Sequence, residues 1–157
     1  MGEIKVANII QQKDLALIGM MAIPDRPGIA AAIFEALGAR GIALQFIVQC
    51  IDLSNRSHVV LCVASKYLTT ALGVLEPVSA RIRAKEVIHI PQVGVVITYG
   101  PEFRELPGVA GKVGSALAAA GINILAISTS FSTVSCVVAG HRLADAVKAL
   151  QDAFELS

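Results

Sequence analysis

The sequence lacks several features that whole classes of protein require. Its 157 residues include no tryptophan, two tyrosines and five phenylalanines, and charged residues make up only 16% of the chain. The formal net charge is +1, and no run of lysine or arginine is long enough to follow a phosphate backbone. A nucleic-acid partner is therefore not expected.

Long apolar runs and paired cysteines are also missing. No apolar stretch reaches the roughly eighteen uninterrupted residues of a membrane helix, and the N-terminal stretch MGEIKVANII has an early acid and no small-residue cleavage site. We expect a cytoplasmic chain without membrane contact. The histidines are scattered, so no metal site and no catalytic residue is predicted. The cysteines are odd in number and lie in apolar runs, which favours reduced core residues: Cys50, Cys62 and Cys136.

Apolar side chains, in contrast, are abundant, at 55% of the residues. Typical globular domains have about 45–50%. Because few polar residues remain to cover the surface, we expect part of the apolar surface to be buried against a second copy of the chain.

An internal repeat organises the sequence. DRPGIAAAIFEALGARGIAL, at residues 25–44, and ELPGVAGKVGSALAAAGINI, at residues 105–124, are identical at 8 of 20 positions. The match resumes at a shorter spacing between VLCVA, at 60–64, and SCVVA, at 135–139. Such self-similarity predicts two copies of one structural unit.

Each copy has the pattern of strand, helix, strand, strand, helix, and the first copy has one more strand after its second helix. In the first copy the strands are LALIGMMA, IALQFIVQCI, HVVLCVA and EVIHI, and the helices begin at Pro27 and Lys66. Gly41 and Gly121 are predicted to end helices, and Pro77 is expected to kink or shorten the second helix. This order predicts an α+β fold of two ferredoxin-like βαββαβ units, each an antiparallel sheet with its helices on one face.

The second copy is one strand short. Its last predicted helix is HRLADAVKALQDAFEL, whereas EIKVANII is a spare strand near the N-terminus. We therefore expect residues 3–10 to complete the sheet of the second unit, with the first unit inserted into the second. The predicted domains are residues 14–91, and residues 3–10 together with 92–157.

These motifs carry a resemblance to a known family. PDRPGIAAAIFEALGARGI, LPGVAGKVGSALAAAGINILAISTS and the closing ALQDAFEL resemble the tandem ACT domains of the aspartokinase regulatory region, over nearly the whole chain. The resemblance implies a non-catalytic chain without the kinase domain, either a separately made subunit or an excised fragment. It implies no cofactor, but an amino-acid effector, lysine or threonine or both, bound between paired ACT domains. Binding would feedback-inhibit aspartate kinase, whose catalytic subunit is the implied partner.

The resemblance also implies a set of effector-binding residues, in two loops and the strands that follow. In the first unit these are Asp25, Pro27, Gly28, Ile29, Ala30 and Gln49. In the second unit they are Pro107, Gly108, Val109, Asn123 and Ile124. Gln45 joins the set because it lies four residues from Gln49 and shares its face of the predicted strand.

Elementary chemistry supports such a site and leaves alternatives open. Backbone N–H groups at the start of the helix after Pro27 can bind a carboxylate, and Asp25 is either a partner for the ammonium group or the N-cap of that helix. The strand IALQFIVQCI is expected at a sheet edge, which favours edge pairing of ACT units in a homodimer. The alternative function is a free-standing small-molecule sensor or interaction protein without a kinase partner.

Overall fold

The computed structural model describes residues 4–156. These residues form eight strands, four α-helices and three short 3-10 helices in a mixed α/β fold with antiparallel strand pairs. The strands and α-helices are, in chain order, β1 Lys5–Val6, β2 Asn8–Pro24, α1 Ile29–Ala39, β3 Phe46–Ile51, β4 Arg56–Ala64, α2 Leu68–Ile82, β5 Glu86–Tyr99, α3 Val109–Ala119, β6 Ala126–Thr129, β7 Thr133–Ala139, α4 Leu143–Ala153 and β8 Glu155–Leu156.

The chain divides into two compact units. One is continuous, Asp14–Gln92, and contains α1 and α2. The other joins the N-terminal stretch through residue 13 to the residues from 93 onward, and contains α3 and α4. Both boundaries fall inside long strands, because β2 contains residues 13 and 14, and β5 contains residues 92 and 93.

In the Asp14–Gln92 unit, β4 lies between β2 and β3 and pairs antiparallel with both. Alternate residues of β2 and β4 enter a core that α1 and α2 also line. The helices form because their apolar residues recur every three or four positions, as at Ile29, Ile33 and Leu37 in α1, and so bury one stripe.

In the other unit, β7 lies between β5 and β6 and pairs antiparallel with both. β1 pairs with β8 in parallel, and the Ala7 N–H donates to the Tyr99 carbonyl at 2.8 Å. Val6 and Ile9 are buried in the core that α3 and α4 line. The N-terminal segment therefore packs in this unit, although residue 3 of the predicted strand 3–10 lies outside the described residues.

Several strands have other bounds than the sequence predicts. EIKVANII is not one strand separate from LALIGMMA, because Lys5–Val6 form β1 and the residues from Asn8 to Pro24 form one continuous strand. EVIHI likewise continues through Pro91 to Tyr99. The residues that join these pairs are polar or lack an N–H, yet they are mostly exposed, and exposed side chains do not stop backbone pairing. β3 begins only at Phe46, so the first four residues of IALQFIVQCI lead into the strand.

The prediction that Pro77 shortens the second helix is wrong. α2 runs for 15 residues with Pro77 inside it. The carbonyl that loses its helical partner belongs to Gly73, and both residues are exposed, so water can bind that carbonyl. The opposite side of α2 is anchored by buried Ala71, Leu75 and Val78.

Of the other local predictions, some are confirmed and some are wrong. Gly41 and Gly121, with φ of 71° and 69°, follow α1 and α3 as predicted. α4 ends at Ala153, and the last predicted helical residues form β8 instead. Cys50 is exposed on β3, so its prediction as a core residue is wrong.

Within residues 4–156, no helix is both long and apolar enough to cross a membrane.

Candidate functional site

Two loops that lead from a strand into a helix contain, together with the first helical residues, eight of the twelve predicted site residues. Gly28 is the N-cap of α1 with φ of 97°, and Gly108 is the N-cap of α3 with φ of 89°. Glycine adopts these left-handed conformations without the strain of a side chain. Neither helix has a side-chain cap. The alternative of Asp25 as N-cap is therefore wrong, because the N-cap Gly28 lies three residues after it.

The first loop presents a helix start to solvent. Asp25, Pro27 and Gly28 are exposed, Ala30 is half-buried and Ile29 is buried in the core. The N–H groups of the first helical turn have no carbonyl partner within the helix and carry its partial positive charge. The loop thus joins an exposed carboxylate to N–H groups that suit an anion, which is the pairing that a zwitterion needs.

The second loop borders a cavity of about 260 Å³. Of the predicted residues, Gly108 and Val109 line it, and Pro107 is exposed beside them. The described residues that line it carry no charged side chain, so a bound charge would meet only hydroxyls and backbone groups. The lining consists of Phe103, Leu106, Gly108, Val109, Ala110, Thr129, Ser130, Thr133 and Val134.

The two predicted glutamines lie at the edge formed by β3. Gln49 donates through Nε2 to Ser57 Oγ at 2.9 Å. It stands opposite Val59, a core residue, so it projects from the helix-covered face of the sheet. Gln45 is exposed and precedes β3, and its N–H donates to the Cys62 carbonyl at 2.9 Å.

Asn123 and Ile124 lie away from the loop that precedes α3. They follow the C-terminal end of α3, whereas Gly108 precedes its N-terminal end. An 11-residue helix is about 16 Å long. The second unit therefore does not bring these two residues to its own helix start. Asn123 is exposed and Ile124 is half-buried.

Sequence reasoning missed a pair of polar residues formed by Asp52, in the turn between β3 and β4, and His58 on β4. His58 Nε2 lies 2.9 Å from Asp52 Oδ2, and His58 Nδ1 accepts the Ala22 N–H at 3.1 Å. The bond from His58, followed by bonds from the N–H groups of Arg56 and Ser54, holds the pKa of Asp52 below its ordinary value of 3.8. The polar stretch DLSNRS, at residues 52–57, is typical of a turn, but nothing in it predicts a pairing with the histidine that follows.

Within residues 4–156, no group of three or more histidine, cysteine, aspartate or glutamate side chains is arranged to hold a metal ion.

Comparison with known proteins identifies the family. A family model described as an ACT domain matches residues 96–154. The regulatory subunit of aspartate kinase from Thermus thermophilus, in ligand-free form, is 36% identical with a TM-score of 0.86, over 96% of this chain and 99% of that one. This chain belongs to the family of aspartate kinase regulatory subunits. The resemblance in the sequence is thereby confirmed, together with the prediction of an ACT-type fold.

Two further relatives define what the match covers. In a solved structure of aspartokinase alpha and beta subunits, one chain is 29% identical with a TM-score of 0.85, over 94% of this chain and 97% of that one. The aspartokinase of Thermus thermophilus is 35% identical over 153 residues, which are 96% of this chain and 38% of that protein. This member of the family thus spans well under half of the curated aspartokinases that it matches.

Proposed function

We propose that this chain is an allosteric module that binds a free amino acid, lysine or threonine, between paired ACT units and feedback-regulates an aspartate kinase catalytic subunit. The observation that carries the proposal is the likeness to a regulatory subunit over nearly the full length of both chains. The two exposed helix starts agree with it, because both suit the carboxylate of an amino acid.

We also propose that each unit is one ACT domain and that the first is inserted into the second. Two observations support this arrangement. The sequence repeat places one copy of the strand-to-helix loop in each unit, at residues 25–28 and 105–108. The ACT family model covers residues 96–154, which lie in the unit that also contains the N-terminal stretch.

In the proposed site, the start of α1 binds the effector's carboxylate and Asp25 binds its ammonium group. Ion pairing is needed there because a buried charge without a partner is costly. Gln45 and Gln49 would bind the effector's side chain from the sheet edge. Asn123 and Ile124, remote from their own helix start, would serve a site formed with a second copy of the chain.

A homodimer through edge pairing completes the proposal. Among the described residues, β4 is the only strand paired with β3, and β7 the only strand paired with β6. These edge strands expose large apolar side chains: Ile47 at 39%, Ile51 at 53% and Ile127 at 42%. An unpaired apolar edge is a template for another strand, and pairing two copies would cover it.

A thermal-shift panel of the twenty amino acids tests effector binding. A ligand present at a hundred times its dissociation constant stabilises the folded state by about 2.7 kcal/mol. We expect lysine or threonine to raise the melting temperature of the wild-type chain, and Asp25→Asn and Gln49→Ala to abolish the rise. Glu35→Gln removes an exposed carboxylate from α1, away from the loop, and serves as the matched control. A flat panel would favour the free-standing interaction protein.

Regulation is tested by reconstitution with an aspartate kinase catalytic subunit. We expect the effector to lower kinase activity only when this chain is present, with a coupling free energy of about 1–3 kcal/mol. An effector that binds the chain but leaves kinase activity unchanged would favour a sensor that acts on another partner.

A further inference from the structure

A β-bulge interrupts β2 just before the first loop of the candidate site. The register of β2 against β4 shifts there, so that Met21 and Ala22 share the place opposite His58. Ala22 has a left-handed φ of 53°, which is uncommon for a residue with a side chain. A bulge bends its strand and redirects the chain that follows, here the loop at residues 25–28.

His58 satisfies the extra backbone group of this bulge. Its Nδ1 accepts the Ala22 N–H at 3.1 Å, so Nδ1 carries no proton in this arrangement. Its Nε2 then carries the ring proton and donates it to Asp52 Oδ2 at 2.9 Å. A doubly protonated ring has no acceptor nitrogen. Protonation of His58 therefore deprives the Ala22 N–H of its partner.

The turn that carries Asp52 also holds the loop directly. Asp52 Oδ1 accepts the N–H of Ser54 at 2.8 Å and of Arg56 at 3.1 Å. Within the same turn, the Asn55 carbonyl accepts the Asp25 N–H at 3.1 Å. Bulge, turn and loop thus form one hydrogen-bonded assembly that the imidazole ring connects.

The second repeat has no counterpart of this contact, because the register of β5 against β7 continues without a shift through Tyr99 and Thr133. There the Gly100 N–H donates to the Ser132 carbonyl at 2.8 Å. Thr133 stands at the repeat position of His58, and its hydroxyl bonds the Ser130 hydroxyl at 2.7 Å. Hydroxyl groups do not change charge between about pH 5 and 8, whereas histidine does. The charge-dependent contact is confined to the first unit.

We propose that His58 is a positioning residue that sets the loop at residues 25–28, and that protonation of its ring releases this loop. A neutral ring bridges the bulge to the Asp52 turn. A charged ring directs Nδ1–H against the Ala22 N–H, so the bulge and the loop change conformation. The consequence for the effector, weaker binding in acid, rests on the function proposed above.

Other charged and titratable groups surround the ring without replacing its role. They are the carboxylate of Asp52 in the turn and the cations Arg56 on β4 and Lys85 just before β5. Lys85 is placed by its N–H bond to the Met21 carbonyl at 3.0 Å, and Cys50 lies directly opposite His58 on β3. Whatever groups surround it, a charged ring has no acceptor nitrogen for the Ala22 N–H.

Amide hydrogen exchange of the full chain, followed by NMR without any effector, tests the release. In the wild type we expect the protection factor of the Ala22 amide to fall about tenfold or more from about pH 8 to about pH 5. His58→Asn offers an amide oxygen that does not titrate, so its Ala22 protection should not vary with pH. The Gly100 amide is the internal control and should keep its protection at both pH values.

The outcomes separate this inference from the proposed function. Constant Ala22 protection in the wild type, or the same loss in His58→Asn, would overturn the release. If lysine or threonine binds, calorimetry should show an affinity that falls about tenfold in acid for the wild type and stays level for His58→Asn. Equal wild-type affinity at both pH values would overturn the coupling and leave effector binding intact. If no amino acid binds, the effector proposal fails while the exchange result still decides the release.

Discussion

Thr98 places a hydroxyl group in a core position. The residue is fully buried, and its Oγ1 has no hydrogen-bond partner among the described residues. It stands opposite Val134, as Met20 stands opposite Val59 in the first unit, so the repeat has methionine at this position. The second unit thus carries an unpaired polar atom that the first unit avoids.

We expect Thr98→Val to raise the free energy of unfolding by about 1–2 kcal/mol. The change removes an unpaired buried hydroxyl at nearly constant volume. Urea unfolding followed by circular dichroism measures it. Ser57→Ala is the matched control and should lower stability, because the buried Ser57 hydroxyl accepts a bond from Gln49. A lower unfolding midpoint for Thr98→Val would show that the hydroxyl has a stabilising partner.

The three cysteines differ in reactivity because their burial differs. Burial raises the pKa of the Cys62 thiol to about 12 and of the Cys136 thiol to about 11. We expect iodoacetamide at about pH 8 to alkylate Cys50 alone in the folded protein and all three thiols in urea, because only the thiolate reacts. Intact mass spectrometry counts the added groups. A second adduct on the folded chain would contradict the burial.

The same two thiols predict a loss of stability in alkali. Below their ordinary pKa of 9.0 both thiols are protonated in the folded and unfolded states, so their contribution is complete. Above that value the unfolded chain loses protons that the folded chain retains. Stability should fall by up to about 1.4 kcal/mol per pH unit for each thiol until the folded pKa is reached. Cys62→Ala should reduce the slope of the unfolding midpoint above about pH 9.

At the scale of the elements, two glycines at the start of α3 have different conformations. Gly108 has φ of 89° at the N-cap, whereas Gly111 is helical and a Cβ there would meet no atom within 4 Å. We expect Gly108→Ala to cost about 1 kcal/mol and Gly111→Ala to gain about 0.5–1 kcal/mol. Thermal unfolding of the two variants makes a direct comparison. Similar shifts for both would mean that the left-handed cap is not strained by a side chain.

The periodicity of apolar residues predicted the helices and strands that bury one face. It did not predict the bounds of strands that are held only by backbone pairing. α1 and α3 were predictable because Ile29, Ile33 and Leu37 and their repeat counterparts mark one stripe. Pro77 misled because propensity does not show that its freed carbonyl, at Gly73, is exposed. The continuity of β2 and of β5 was also not predicted, because exposed polar residues give no sequence signal for backbone pairing.

At the scale of the whole molecule, the β3 edge predicts the oligomeric state. We expect Ile47→Lys to weaken the proposed dimer at least about tenfold, because a charge on an edge strand opposes pairing with another strand. Leu53→Lys, in the adjacent turn at 107% exposure, is the matched control and should leave association unchanged. Sedimentation velocity over a concentration series measures both. A wild-type chain that remains monomeric would contradict edge pairing.

The candidate site was predictable in part. The two loops follow from the Pro-Gly motif, because a proline and a glycine directly before an apolar helical stripe are a local signal of a turn. The separation of Asn123 from Gly108 requires the course of α3 to be known. The His58 contact was invisible, since it depends on a bulge that lets Met21 and Ala22 share one place in the register.

The boundaries between the two units lie inside β2 and β5, and this position affects how the sequence can recombine during evolution. Recombination tends to succeed at flexible linkers, where a breakpoint disturbs few contacts. Here a breakpoint at residue 13 or 92 would join half a strand from each parent. If the two half-strands were joined out of register, the side chains after the breakpoint would move to the opposite face of the sheet. We expect the two units to have diverged together, as one piece of genetic material, since their duplication.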